Sequence, residues 1–499
     1  MDLLTYSKLD AMDIAQSIQQ KEMKPSEFVE LSLQQLNKVN PLLNIVTNTR
    51  KDKVLDEAKT SLLGESPLSG VPLLLKNISQ TVKGEPITSG AQLFKNVIAT
   101  HDSNFVTRLR NAGLLFVGHT NSPEFGLKNI TEPVLHGQTR NPWNADYSPG
   151  GSSGGSAAAI ASGVVPVAGA SDGGGSIRIP ASFTSLFGLK PTRGRTPVGP
   201  GVGRQWQGAS IDFVLSKSVR DSAAMLDLLQ VIQPSAAFQT PLFPRSYNEV
   251  MKESFGKKLK IAFSIKSPVG TEVSEDAEQA VKKTIKWLEE LGHEVYEVDN
   301  GIDGVQLMED YYLMNSGEIA TVFNGIERSI GRKIQVDDVE IESWLLNEAG
   351  KSVSAAQFSE SLSSWDTAAE KMAIVHETYD FYITPSTAFT APKIGELTHS
   401  HEQQHILRDR MSSATEDKKQ SIIYEMFLPS LTYTPYTQLA NLTGQPAMSV
   451  PVHMSKDGLP LGVQVMASKG DEHRLLQLAY QLEQSELWVG MNGNPYLTN

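Results

Sequence analysis

Sixteen of the chain's 39 glycines fall between Gly137 and Gly208, a window of 72 residues in a sequence of 499. Glycine concentrates where backbone must take a positive φ or pass very close to a neighbour. This window is therefore where the chain commits to tight geometry. Two runs carry it, Gly150-Gly151-Ser152-Ser153-Gly154-Gly155-Ser156 and Ser171-Asp172-Gly173-Gly174-Gly175-Ser176-Ile177-Arg178. A pair of flexible surface loops is the plain reading, but such loops seldom alternate with apolar runs as dense as Ala157–Ala170. Phosphate cradles are excluded by pattern: neither Gly-x-x-x-x-Gly-Lys-Ser/Thr nor a Gly-x-Gly-x-x-Gly following a strand is present. An oxyanion site remains. Three consecutive glycines offer backbone N–H groups and Ser176 follows at once, which suits the anion formed when a serine attacks a carbonyl.

Composition narrows the chemistry further. Against 56 acidic residues stand 44 basic ones, and the formal charge of −12 repels phosphate backbones, so no nucleic acid partner is expected. With no cysteine, disulfides, thiolate metal sites and a thiol nucleophile are all excluded. The opening residues carry Asp2, Lys8, Asp10 and Asp13 rather than a basic segment followed by an apolar run, so no signal peptide is read. The longest uncharged stretch, Tyr147–Ser171, is built from Gly, Ser and Ala and reads poorly as a membrane span. A cytoplasmic protein without membrane attachment is the expectation.

Apolar periodicity alternates between strand and helix. Residues 8–39 read as two amphipathic helices broken near Pro25. Strands are expected at residues 70–76, 114–118 and 164–167, with a helix at 101–112 and another opening at Ala157. A second alternation places strands at 260–263 and 293–298 around a helix at 276–291. Residues 303–430 are richer in helix signals, with one strand at Phe381-Tyr382-Ile383. Strands at 448–452 and 462–466 and a helix at 472–483 close the chain and are expected to rejoin the first sheet. The pattern is that of an α/β protein with helices covering a sheet.

A serine nucleophile needs a base. None of the ten histidines lies between His136 and His293. Lys76 ends the apolar run Gly-Val-Pro-Leu-Leu-Leu, where a sheet places functional groups. Burial there would favour the neutral amine, which can accept a proton. A surface lysine at a strand end is the competing reading, and spacing alone leaves both open.

The stretch Gly150–Thr192 resembles the amidase signature family along its whole length. So do Gly70–Asn77 upstream, Asn441–Ala447 and Gly458–Gln464 downstream. The resemblance implies one amidase domain over residues 1–499, a mixed twisted β-sheet covered by helices on both sides. The signature core lies at about 60–210 and a less typical helical insertion at about 300–430. It also implies a Ser–cis-Ser–Lys triad: Ser176 as nucleophile, Ser152 as the bridging serine behind a cis peptide bond, and Lys76 as base. Backbone N–H groups of Gly173, Gly174, Gly175 and Ser176 would form the oxyanion hole, with Ser153, Asp172 and Arg178 in support. The implied reaction is cleavage of a linear or cyclic carboxylic amide through an acyl-enzyme, without metal or organic cofactor, by a monomer or homodimer. Gly173 stands where the family commonly carries a side chain such as Thr or Ile, which implies a less rigid oxyanion turn. Thr131–Trp143 and Pro191–Gly201 look closer to stand-alone amidases than to the glutamine-hydrolysing subunit of tRNA-dependent amidotransferases, the rival within the family. That subunit usually carries Gln where this chain has Ile179.

Two further motifs compete. Gly150-Gly151-Ser152-Ser153-Gly154 fits the Gly-x-Ser-x-Gly elbow, which needs a strand before it, whereas residues 139–149 carry two prolines and turn formers. His401-Glu402-Gln403-Gln404-His405 matches the His-Glu-x-x-His zinc motif, with Glu425 twenty residues on. Its flanks are polar, as in a solvated segment rather than a buried metal helix. Of the aromatic residues in the insertion, Tyr311, Tyr312, Trp344 and Trp365 are candidates both for a pocket lining and for core packing.

Overall fold

The computed structural model describes residues 1–60, 64 and 66–498. Among the described residues eleven strands join one sheet. In chain order they are β1 (Val46–Thr49), β2 (Pro72–Lys76), β3 (Leu115–Thr120), β4 (Val167–Asp172), β5 (Phe187–Lys190), β6 (Ile211–Ser216), β7 (Lys260–Phe263), β8 (Glu294–Glu297), β9 (Phe381–Pro385), β10 (Ala447–Met454) and β11 (Pro460–Met466). Their order across the sheet is β1-β3-β2-β4-β6-β5-β10-β11-β9-β7-β8. β2 runs parallel to β3 and β4, and β7 parallel to β8 and β9; the remaining pairs are antiparallel. The sheet is therefore mixed.

Successive strand residues point to opposite faces. β2 to β6, β9 and β11 are buried at every position, and β10 at all but Met454, so both faces of the sheet are covered; the edge regions, β1 and β7–β8, reach solvent. The expected α/β architecture is the observed one, and β10 and β11 do rejoin the first sheet through β5.

Prolines set several boundaries. Pro25 is the first residue of the helix Pro25–Leu43, where its missing N–H costs nothing, and two shorter helices precede it rather than one. The strand expected at 164–167 begins instead at Val167, directly after Pro166, which has no ladder donor. It then runs on to Asp172, so the start of the second glycine run belongs to a strand. The elbow-type strand is absent before Ser152, where residues 145–153 form turns and irregular backbone.

A second apolar cluster lies outside the main core. It is built by the helices Gly304–Ile330, Ile341–Gly350, His401–Ser413 and Glu416–Tyr433, from residues such as Ile319, Phe323, Leu345 and Ile423.

Leu74 sits at the centre of β2, fully buried between Gly118 of β3 and Ala168 of β4. Leu74→Ala is expected to lower unfolding free energy by about 2–5 kcal/mol, and the volume-conserving Leu74→Met by less than about 1.5 kcal/mol. Urea denaturation of the two variants measures the difference.

Candidate active site

Parallel pairing puts the C-terminal ends of β2, β3 and β4 at one end of the sheet. Lys76 closes β2 there, and Ser171-Asp172 close β4. The chain turns after Asp172 through Gly173–Ser176 and enters the helix Arg178–Thr184. Ser152 and Ser153 precede the wholly buried helix Gly154–Ala161, whose small residues let it lie against the strands. The Gly151–Ser152 peptide bond is cis. A Cβ on Gly151 would stand 2.5 Å from the Ile130 carbonyl oxygen, so no larger residue fits without moving backbone.

Lys76 is completely buried. Its Nζ donates to Ser152 Oγ at 2.7 Å and to Ser171 Oγ at 2.8 Å. Burial lowers the ammonium pKa to about 7, against the pull of the Asp212 and Asp172 carboxylates. Ser153 braces the same strand end, since its Oγ donates to the Ser171 carbonyl at 3.2 Å and accepts from the Ser171 N–H at 3.3 Å. Ser176 is half-buried and opens onto the cavity that Ser152 and Ser171 also line. No hydrogen bond joins Ser176 to Ser152 among the described residues.

Asp172 and Arg178 form a fully buried, two-pronged ion pair at 2.8 and 3.0 Å. Burial would raise the Asp172 carboxyl, but the Arg178 guanidinium holds it down at about 2. Asp172 also fixes the turn that follows it. Its Oδ1 accepts the Gly175 N–H at 2.8 Å and its Oδ2 the Ile177 N–H at 3.1 Å. This corrects one expectation: the Gly175 N–H is spent on Asp172 and is not free for an oxyanion. The N–H groups of Gly173, Gly174 and Ser176 have no acceptor among the described residues.

Gly175 itself is obligatory, with φ +125° and a would-be Cβ 2.2 Å from Thr437 Oγ1. The turn's carbonyls are gripped from distant segments. Tyr311 Oη donates to the Gly173 oxygen at 3.1 Å and Thr437 Oγ1 to the Gly174 oxygen at 2.7 Å. Two external hydroxyls thus restrain the turn that Gly173, lacking a side chain, was expected to leave less rigid.

The protein-family profile described as Amidase matches residues 27–476. The chain belongs to the amidase signature family. Lipoamidase from Enterococcus faecalis is 36% identical over 480 residues, covering 96% of this chain; the chain spans 63% of that relative's length. The 6-aminohexanoate-cyclic-dimer hydrolase of Paenarthrobacter ureafaciens is 35% identical over 499 residues, with 98% of this chain and 97% of the relative covered. A solved structure of 6-aminohexanoate cyclic dimer hydrolase aligns with a TM-score of 0.89 and 33% identity over 100% of both chains. A glutamyl-tRNA(Gln) amidotransferase chain from Thermotoga maritima shares the fold, with a TM-score of 0.73 at 24% identity over 96% of each chain. This amidase-family protein is a hydrolase acting on amides, carbon–nitrogen bonds other than peptide bonds.

In this amidase the zinc-like motif gathers no ligand set. His401 and His405 are exposed on one helix, and Glu425 pairs with Arg410 at 2.5 Å. No group of three or more metal-binding side chains occurs among the described residues. Tyr311 and Tyr312 line the cavity, whereas Trp365 packs in a core and Trp344 sits at the edge of another. Sequence reasoning missed the roles of Ser171, Asp212 and Thr437, and the hold of Tyr311 on the Gly173 carbonyl. Ser171 lies inside the second glycine run, but nothing in that pattern marks it as a lysine partner. No helix of the described residues is long and apolar enough to cross a membrane.

Arg178→Met would leave Asp172 buried and uncompensated. It is expected to cost about 3–5 kcal/mol of stability, as breaking one side of a buried pair does. Chemical denaturation followed by tryptophan fluorescence reads the loss directly.

Proposed function

We propose that this amidase hydrolyses its substrate through an acyl-enzyme on Ser176, with Ser152 and Lys76 relaying the proton. The observation that carries the proposal is the environment of Lys76: a fully buried amine, 2.7 Å from Ser152 Oγ, with its pKa lowered to about 7. Such an amine is half neutral at neutral pH and can accept a proton. As Ser176 Oγ attacks the amide carbon, its proton passes to Ser152 and the Ser152 proton to Lys76 Nζ. The oxyanion is met by backbone N–H groups of the Gly173–Ser176 turn, of which those of Gly173, Gly174 and Ser176 are free of Asp172. Collapse breaks the carbon–nitrogen bond and the relay returns a proton to the leaving nitrogen. Water then attacks the ester by the same route, giving a carboxylic acid, an amine or ammonia, and the free serine. These steps need no metal or organic cofactor. The relatives' names make lipoamide and the 6-aminohexanoate cyclic dimer the first substrates to assay. Turnover of an amide by the isolated chain, without tRNA or a partner protein, separates this reading from that of a tRNA-dependent amidotransferase component.

Labelling with a fluorophosphonate followed by peptide mapping tests the nucleophile. Modification at Ser176, lost in Ser176→Ala, is expected; a label elsewhere sinks the assignment. Below pH 7 Lys76 is protonated and cannot act as base; above it the amine is neutral. Accordingly kcat/KM is expected to climb through about pH 7 and level off above, and a plateau that persists to pH 5 contradicts Lys76 as base. Lys76→Ala removes the base and should lower kcat by about 10²–10⁴-fold.

A further inference from the structure

The cavity above Ser176 has a volume of about 340 Å³. Its floor is the polar glycine turn, but much of its wall comes from the second apolar cluster. Ile319 and Val322 reach it from the helix Gly304–Ile330, Phe427 and Leu431 from the helix Glu416–Tyr433, and Leu127 from the loop after β3. Tyr312 stacks on Phe427, with ring centroids 5.0 Å apart and planes 10° from parallel, so this wall is stiff as well as apolar.

Among the described residues one charged side chain lines the cavity, Lys128. Its ammonium is already spent, lying 2.7 Å from Glu340 and 3.6 Å from Glu342, both buried. Neither of these carboxylates lines the cavity. A carboxylate arm entering this space would meet no free cation, and an ammonium arm no facing anion. Either charge would give up its water for neutral amide and hydroxyl groups alone, such as Asn129, Gln205 and Gln438, with no opposite charge to pair with, which is unfavourable.

Resting on the Ser176 acyl-enzyme reading, we infer that the cavity selects amides whose acyl arm is an uncharged, apolar chain, and that it excludes arms ending in a carboxylate or an ammonium. The acyl side is the one assigned because that group stays on Ser176 through both half-reactions, whereas the amine leaves after the first. The arm that stays is the one a stiff apolar wall can grip throughout.

The test is a series of p-nitroanilides on the purified full chain: acetyl, butanoyl, hexanoyl and octanoyl, together with octanoyl analogues carrying a terminal carboxylate or a terminal amine. From acetyl to octanoyl, kcat/KM should rise roughly fourfold per buried methylene until the cavity is filled. Both charged analogues should fall at least a hundredfold below octanoyl. A flat or falling aliphatic series, or a charged analogue cleaved as well as octanoyl, overturns the inference while leaving Ser176 chemistry intact. Absence of both anilide turnover and a Ser176 label would instead sink the acyl-enzyme reading. As a second arm, Val322→Lys places a cation on the wall and should raise the ratio of carboxylate-ended to plain octanoyl turnover at least tenfold. Leu127→Lys, at another half-buried wall position, makes the same test if Val322→Lys does not fold. An unchanged ratio in a folded variant counts against the assignment.

Discussion

A guanidinium that is wholly buried must satisfy five N–H donors without water. Arg178 does so with contacts to four residues. Nε and Nη2 hold the two Asp172 oxygens, Nη2 also reaches Asn441 Oδ1 at 2.6 Å, and Nη1 reaches the Thr437 carbonyl at 2.7 Å and Gln464 Oε1 at 2.6 Å. One side chain thereby ties the end of β4 to β11 and to the segment around the helix Gln438–Thr443. Asp172, held charged by this contact, can then accept the N–H groups of Gly175 and Ile177 and shape the turn that presents Ser176. Remove the arginine and the carboxylate becomes an uncompensated buried charge; the turn loses its anchor at the same moment. A structural ion pair and the exposure of Ser176 are in this way one constraint.

How much of this is legible from sequence depends on whether the interaction is local. The glycine runs, the strand ending in Lys76 and the seven-residue span from Asp172 to Arg178 are short-range patterns; the strand does end at Lys76 and Arg178 does pair with Asp172. The contacts that complete the site are long-range. Tyr311 lies 138 positions from Gly173, and Thr437 lies 263 from Gly174. Asp212 comes near Lys76 only because the sheet places β6 beside β4 and β4 beside β2. No periodicity in either segment encodes that adjacency. β5 was invisible for another reason: Phe187-Gly188-Leu189-Lys190 contains a strand-weakening glycine and a lysine that looks like a surface residue. In the fold Gly188 leaves room for Ala181, and the buried Lys190 donates to the Pro191 carbonyl.

The Gly175 N–H shows why counting glycines overstates the free donors of a turn. Three consecutive glycines guarantee accessible backbone, not free backbone. A neighbouring carboxylate of the same turn competes for the donors, and Asp172, two-pronged and fully charged, takes one of them. Each amide so taken is also oriented, because it is held at a fixed angle to the strand. The turn therefore gives up one donor and gains a defined direction for those beside it, an orientation reinforced by Tyr311 and Thr437 on the carbonyl side.

The same buried electrostatics explains why a lysine, of all residues, can sit beside Ser152. Burial pushes Lys76 toward neutrality, and an adjacent carboxylate in direct contact would cancel the effect by stabilising the ammonium. The structure keeps carboxylates near but engaged elsewhere. Asp172 is saturated by Arg178 and backbone amides, and Asp212 accepts from Ser79 at 2.6 Å, Gln205 at 3.1 Å and Gln80 at 3.2 Å. Lys76 donates instead to two neutral hydroxyls. Its pKa of about 7 is thus the balance between desolvation and two anions whose strongest contacts are with other groups. A carboxylate freed from those contacts would draw the amine back to its charged form, so the hydrogen-bond partners of Asp212 and Asp172 set the protonation state of Lys76 without touching it.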